Sequence, residues 1–139
     1  MAYPNHLKVQ VKYLLSLLLL IASPAWAQWT LVSEPDGAKF FVDFENIRKD
    51  NNLLKVWVLT NFSKPLKLKG NEVMSFRLRY EVNCKQEQTR VLEISAFSRP
   101  NAAGTFLGTE ERENAKWSDE APRTGGWDIL KSVCKAPAR

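Results

Sequence analysis

Two cysteines, a few paired carboxylates and one run of lysines are the residues whose types and spacing could carry chemistry. Cys84 and Cys134 could form a disulfide, a redox pair or part of a metal site. Asp43 and Glu45 lie two apart at the end of an extended run, and Glu110, Glu111 and Glu113 cluster later. A paired-carboxylate hydrolase can be built from such groups. Their plainer reading is solvated acids balancing basic strands, with Asp43 as a buried acid that accepts turn amides. Lys64, Lys67 and Lys69 in "KPLKLK", followed by Arg77 and Arg79, form a cluster of the kind that binds sulfated glycans or acidic protein segments. The alternative for the lysines is a solvated guard on an edge strand.

The missing residues narrow the chemistry further. The only histidine is His6, inside a leader-like segment, so the rest of the chain cannot supply Ser-His-Asp or Cys-His catalysis or a histidine metal site. No glycine-rich phosphate loop is present. The expectation is a protein that is not an enzyme, with no cofactor and no metal.

Residues 1–27 read as a signal peptide. Lys8 and Lys12 give a positive start, "YLLSLLLLI" is the apolar stretch, and Ala25 and Ala27 frame a cleavage site before Gln28. The alternative is a membrane anchor, but the apolar stretch is shorter than the ~18 residues a spanning helix needs. No cysteine lies near the cleavage site for lipid attachment, and no later segment is apolar enough to span a membrane. Residues 28–139 then form a single domain. Two of the 20 basic residues and none of the 15 acidic ones fall in the leader, so residues 28–139 carry 18 against 15, a net charge of +3.

Strand-like runs follow one another along that domain: 29–33, 38–44, 53–62, 74–84, 89–98 and 105–111. Residues 45–52 read as a polar connection, 63–72 as a basic loop or edge with Pro65 and Gly70 as breakers, and 113–126 as irregular. Run 53–62 is apolar on both sides, with Leu54, Val56 and Val58 on one and Trp57 and Leu59 on the other. Such a strand is central or covered twice. A homodimer contact or a partner over Trp57 and Leu59 is the expectation, because an open apolar patch usually marks an interface.

The period changes at the C-terminus. Trp127, Leu130 and Cys134 fall at i, i+3 and i+7, with Val133 widening the stripe. Thr124 or Gly126 can cap this helix, Asp128 suits its first turn, Lys131 and Lys135 suit its end, and Pro137 stops it. Cys84 shares the apolar side of its strand with Phe76, Leu78, Tyr80 and Val82. An exported chain meets oxidising conditions, so Cys84 and Cys134 are expected to be joined, pinning the helix to the sheet. The alternative, a redox-active pair, has no C-x-x-C to support it. The fold class is therefore α+β: an antiparallel sheet of about five to six strands with a C-terminal helix held on it by a disulfide.

The runs "KFFVDFENIRKDNNLLKVWVLTNF", "RLRYEVNC" and "GWDILKSVC" resemble the surface-adhesin protein E family of Gram-negative bacteria. The resemblance rests on Phe41 to Asp43, Ile47, Trp57, Tyr80 to Cys84 and Trp127 to Cys134, and covers nearly all of 29–134. It implies an antiparallel sheet with a disulfide-held C-terminal helix. The name-giving member implies binding of host matrix and serum proteins at the cell surface, as a dimer. That member is lipid-anchored, and this chain lacks the lipidation cysteine.

Two functions follow as expectations. The first is an exported binding protein of adhesin type, in the periplasm or at the cell surface, taking a protein or a polyanionic ligand such as a sulfated glycan through Lys64, Lys67, Lys69, Arg77 and Arg79. The second is a periplasmic protein-binding inhibitor or envelope-stress protein with no surface role. A lysozyme-directed inhibitor is expected to be acidic, which a charge of +3 opposes. Export argues against nucleic acid as a partner.

Overall fold

The computed structural model describes residues 28–136. The signal peptide expected at 1–27 and the helix-stopping Pro137 lie outside the described residues. Eight strands form one antiparallel sheet: β1 (Trp29–Ser33), β2 (Ala38–Asp43), β3 (Arg48–Asp50), β4 (Leu53–Leu68), β5 (Asn71–Asn83), β6 (Gln88–Arg99), β7 (Ala103–Glu111) and β8 (Ser118–Asp119). The main path runs β1-β2-β4-β5-β6-β7, with β3 paired to β4 and β8 to β6. Among the described residues one α-helix, α1 (Gly125–Lys135), follows.

The count of eight corrects the expected five to six. The main path has six strands; the additional two are three and two residues long, and arise in the segments read as a polar connection (45–52) and as irregular (113–126). Asp43 explains the first. Its carboxylate accepts from the Glu45 amide at 3.1 Å and from Asn46 Nδ2 at 2.7 Å. That caps a short 3-10 turn at Phe44–Asn46, drops Ile47 into the core at 4% exposure and sets Arg48 to Asp50 against β4. Asp43 thus takes the structural role open to it from sequence.

Residues 63–72 also differ from expectation. Strand β4 continues through Pro65 to Leu68 and turns at Lys69 and Gly70, both at positive φ (48° and 80°). Pro65 is tolerated because it sits where the β4–β5 register shifts, between Asn61 and Leu66. Its missing N–H is needed by no ladder bond there.

The core lies between one sheet face and α1. Val42, Val56, Val58, Leu78 and Val82 from the sheet meet Ile129, Leu130 and Val133 from the helix, each 8% exposed or less. Ile129 widens the helical stripe beyond the residues its spacing suggested. Thr124 is the N-cap, its Oγ1 accepting from the Trp127 amide at 3.2 Å. Asp128 in the first turn also accepts from Ser33 Oγ of β1 at 2.6 Å, which ties the helix to the sheet edge. Gly125 is required by close approach: a Cβ there would lie 2.6 Å from the Phe40 ring. Cys84 and Cys134 are joined, with Cα atoms 5.8 Å apart. The predicted clamp is in place, and both thiols of the chain are consumed by it.

Candidate ligand-binding face of the sheet

One face of the sheet carries α1; the other carries the charged residues. Strand alternation puts Trp57 and Leu59 on the side away from Val56 and Val58. The register then decides their neighbours: Leu59 lies opposite Arg77 and Trp57 opposite Arg79. One strand further, Arg77 faces Ser95 and Arg79 faces Glu93. On the other flank, Phe41 faces Leu59. Strand β4 is central, as its two-sided apolar pattern required.

Leu59 is 1% exposed within this single chain, so its cover comes from its own neighbours. Trp57 keeps part of its ring open. Over that ring lies the Arg77 guanidinium, 5.2 Å from the ring centroid, and the same cation is 5.9 Å from the Phe97 centroid. A cation over an indole is drawn to the negative face of the ring. Arg77 forms no ion pair among the described residues. Arg79 has a long one, 3.8 Å to Glu93, and its Nε is buried without an acceptor. An unpaired buried donor costs about 1–3 kcal/mol, so this guanidinium is held by packing rather than by full satisfaction of its donors.

A concavity of about 310 Å3 opens beside these residues. Trp29, Arg48, Lys55, Trp57, Arg77 and Arg79 line it, with Asp43 and Asn46 at one side. Four of the lining groups are cations. Asp43 is the acid among them, and its oxygens are engaged by the 3-10 turn. Lys55 has a solvent-exposed ion pair with Asp50 at 3.3 Å, which at this exposure holds it only weakly.

Of the basic residues expected from sequence, Arg77 and Arg79 are brought to this concavity and the lysines are not. Lys67 lies opposite Glu72 near the β4–β5 turn, five positions from Arg77, or about 16 Å along the strand. Lys64 sits in the irregular stretch before Leu66, and Lys69 occupies the turn itself. All three are exposed. The cluster is therefore two groups, one on the sheet face and one at a hairpin tip. Arg48, Lys55 and Trp29 were missed. Lys55 was legible, since it stands two before Trp57 and shares its side. Arg48 and Trp29 were not, because each reaches the face only through strand pairings set by the fold.

A larger concavity, about 880 Å3, lies under residues 112–117. Its charges balance: Arg90, Arg112 and Lys116 against Glu111, Glu113 and Glu120. The groups nearest its floor are already paired. Arg90 donates to Glu81 Oε1 from Nε at 2.8 Å and from Nη2 at 2.5 Å, and its guanidinium lies 4.5 Å from the Trp117 centroid. Thr89 Oγ1 donates to Glu120. Beside them, burial and then the Glu120 carboxylate push the Tyr80 phenol up to about 12. Nothing in this second concavity selects a ligand charge. The carboxylates Glu110, Glu111 and Glu113 are exposed, and among the described residues no group of three or more His, Cys, Asp or Glu is placed to hold a metal ion. No helix among them is long and apolar enough to cross a membrane.

The sequence model of one family, described as surface-adhesin protein E, matches residues 29–135. No curated protein matches the sequence. Among solved structures, Haemophilus influenzae protein E is similar with a TM-score of 0.59 at 15% identity, over 82% of this chain and 90% of that one. Protein E from non-typeable Haemophilus influenzae gives 0.56 at 15% identity, over 82% and 81%. At that identity the likeness is one of fold.

Proposed function

The chain belongs to the surface-adhesin protein E family, and from that membership we propose that it is an exported, non-enzymatic binding protein of adhesin type in the bacterial envelope. Its ligand is an extracellular protein or a polyanion. The observation that carries this reading is the open sheet face, where Arg77 lies on Trp57 with no ion pair among the described residues and three further cations line the same concavity. A face with a guanidinium outside any ion pair and a half-buried Trp57 is suited to binding, since Arg and Trp are enriched among residues that dominate interface energies. The exposed Lys64, Lys67 and Lys69 at the hairpin tip add a positive field that steers an acidic partner toward the chain.

The membership also supports the absence of catalysis, as does a chain in which both thiols are bonded and histidine is confined to residues 1–27. Surface plasmon resonance over an immobilised extracellular-matrix preparation tests the reading. The expected result is binding that weakens as salt rises, because screening acts over ~8–10 Å. Charge reversal at Arg77 and Arg79 should weaken it at least tenfold, and reversal at Lys67 and Lys69 should mainly slow association. Absence of binding, or binding indifferent to both salt and these reversals, would overturn it.

A further inference from the structure

We propose that the concavity between Trp29, Trp57 and the four cations is a subsite for a sulfated glycan chain; this rests on the reading of the protein as a binding module. The cations form a row. Arg48 faces Lys55 across the β3–β4 pair, a separation of about 5 Å between Cβ atoms. Lys55 faces Glu81, whose carboxylate is taken by Arg90, and lies diagonally from Arg79, since Trp57, two residues on, is the partner of Arg79; such diagonals are about 7–8 Å. Arg79 and Arg77 are two apart on one strand, about 6.7 Å. A row of positive charges at this spacing calls for a ligand with fixed negative charges repeated at short intervals.

Both an acidic peptide and a sulfated glycan have that repeat. The placement separates them. The backbone edges of β4 are occupied by β2 and β3 on one side and β5 on the other, and those of β5 by β4 and β6. Peptides bound to sheets gain affinity by adding a strand to a bare edge. No such edge is available on β4 or β5, so a peptide lying across these two strands would leave its main chain unpaired; the free edges of β1 and β3 lie only at the margin of the row. A glycan has no such requirement. Its sulfates meet the guanidinium forks, which bind sulfate-like oxyanions through paired N–H donors, and Arg77 is exposed and forms no ion pair among the described residues. Half-buried Trp29, and the part of half-buried Trp57 not lying under Arg77, offer apolar surface to the C–H faces of a sugar. The 310 Å3 concavity is at the small end of ligand pockets, which suits one ring of a chain whose remainder follows the row of cations.

The test uses the chain from residue 28 onward, a heparin-derived hexasaccharide, its desulfated counterpart and a polyglutamate of matching charge, with titration calorimetry and tryptophan emission as readouts. The expected result is binding of the sulfated hexasaccharide with a change in tryptophan emission, at least tenfold tighter than either control. Arg77→Gln with Arg79→Gln, and separately Arg48→Gln with Lys55→Gln, should each weaken it at least tenfold; Lys67→Gln with Lys69→Gln should change it less than twofold. Thermal melting of each variant checks that the fold persists. Loss carried by the hairpin lysines alone, or polyglutamate binding as tightly as the glycan, would overturn the proposal. If the hexasaccharide fails to bind while salt-sensitive binding to matrix persists, the glycan subsite falls and the adhesin reading stands; if both are absent, both fall.

Discussion

Arg77 lies over Trp57, its guanidinium carbon 5.2 Å from the centroid of the indole. The pair is not opposed in the ladder: Arg77 is the cross-strand partner of Leu59, and Trp57 that of Arg79. The contact is a diagonal one, reachable because both side chains are long. It places a cation on the aromatic surface that the apolar pattern of β4 leaves outward, and it makes one unit of the two features singled out from sequence, the basic strand face and the exposed indole.

Replacing Arg77 by alanine should uncover Trp57. Cation–π contacts at exposed sites contribute about 0.5–1 kcal/mol, so stability should fall by about that amount. Tryptophan emission should move to longer wavelength as the ring gains water. Arg77→Lys should recover part of the stability. Unchanged emission in Arg77→Ala would mean that the guanidinium does not cover the ring in solution.

The Cys84–Cys134 bond closes a separation of 50 residues. In the chain-entropy picture a loop of that length contributes about 4 kcal/mol. Cys134→Ser, or reduction of the parent, should lower the melting temperature markedly and release α1, an 11-residue helix that is marginal without tertiary contacts. Calorimetry with and without reductant measures the first effect, and amide exchange over residues 125–135 the second. An unchanged melting temperature would remove the clamp from the account of stability.

Glu81 is 4% exposed and accepts two N–H bonds from Arg90, whose Nη1 also reaches the Ala115 carbonyl at 3.4 Å. Removing one partner leaves a buried charge without its counter-ion, which typically costs about 3–5 kcal/mol. Arg90→Ala should therefore destabilise strongly in urea melts, whereas Glu81→Leu with Arg90→Met should cost far less than the single change. Equal losses in the single and double variants would show that the pair is held by packing alone.

Tyr80 is the sole tyrosine of residues 28–139, so alkaline absorbance titration of that domain reports on it alone. Burial, then the Glu120 carboxylate, raises its phenol from 10.0 to about 12. The neutral phenol is the form the fold favours. As pH rises past 10, the unfolded chain loses this proton and the folded one keeps it, so stability falls between about pH 10 and pH 12, by about 1.4 kcal/mol per unit of the gap. Glu120→Gln should lower the titration midpoint only in part, since burial is the larger cause. A folded-state midpoint at 10 would contradict the buried placement.

Much of this fold was legible because it is written in local periodicity. The alternation of Phe76, Leu78, Tyr80 and Val82 assigned Cys84 to the helix-covered face, and the spacing of Trp127, Leu130 and Cys134 assigned the second thiol to the same core. Strand β3 was not legible, since Arg48 to Asp50 are all exposed and carry no pattern. It exists because Asp43 caps the preceding turn and Ile47 is pulled inward.

By itself the sequence determined which side of each strand and helix is apolar, which residues can turn, and that two half-cysteines share the core; these follow from side-chain spacing along one element. Tertiary structure alone decided which charges stand together. Lys67 and Arg77 are ten residues apart in the chain and remain separate along the β4–β5 hairpin, whereas Arg48, Lys55 and Arg79 come from three strands and line one concavity. The physical reason is register. Polar residues on an open face are constrained only by the ladder that pairs their strands, and that ladder is set by turns, bulges and caps elsewhere in the chain, not by the charged residues themselves.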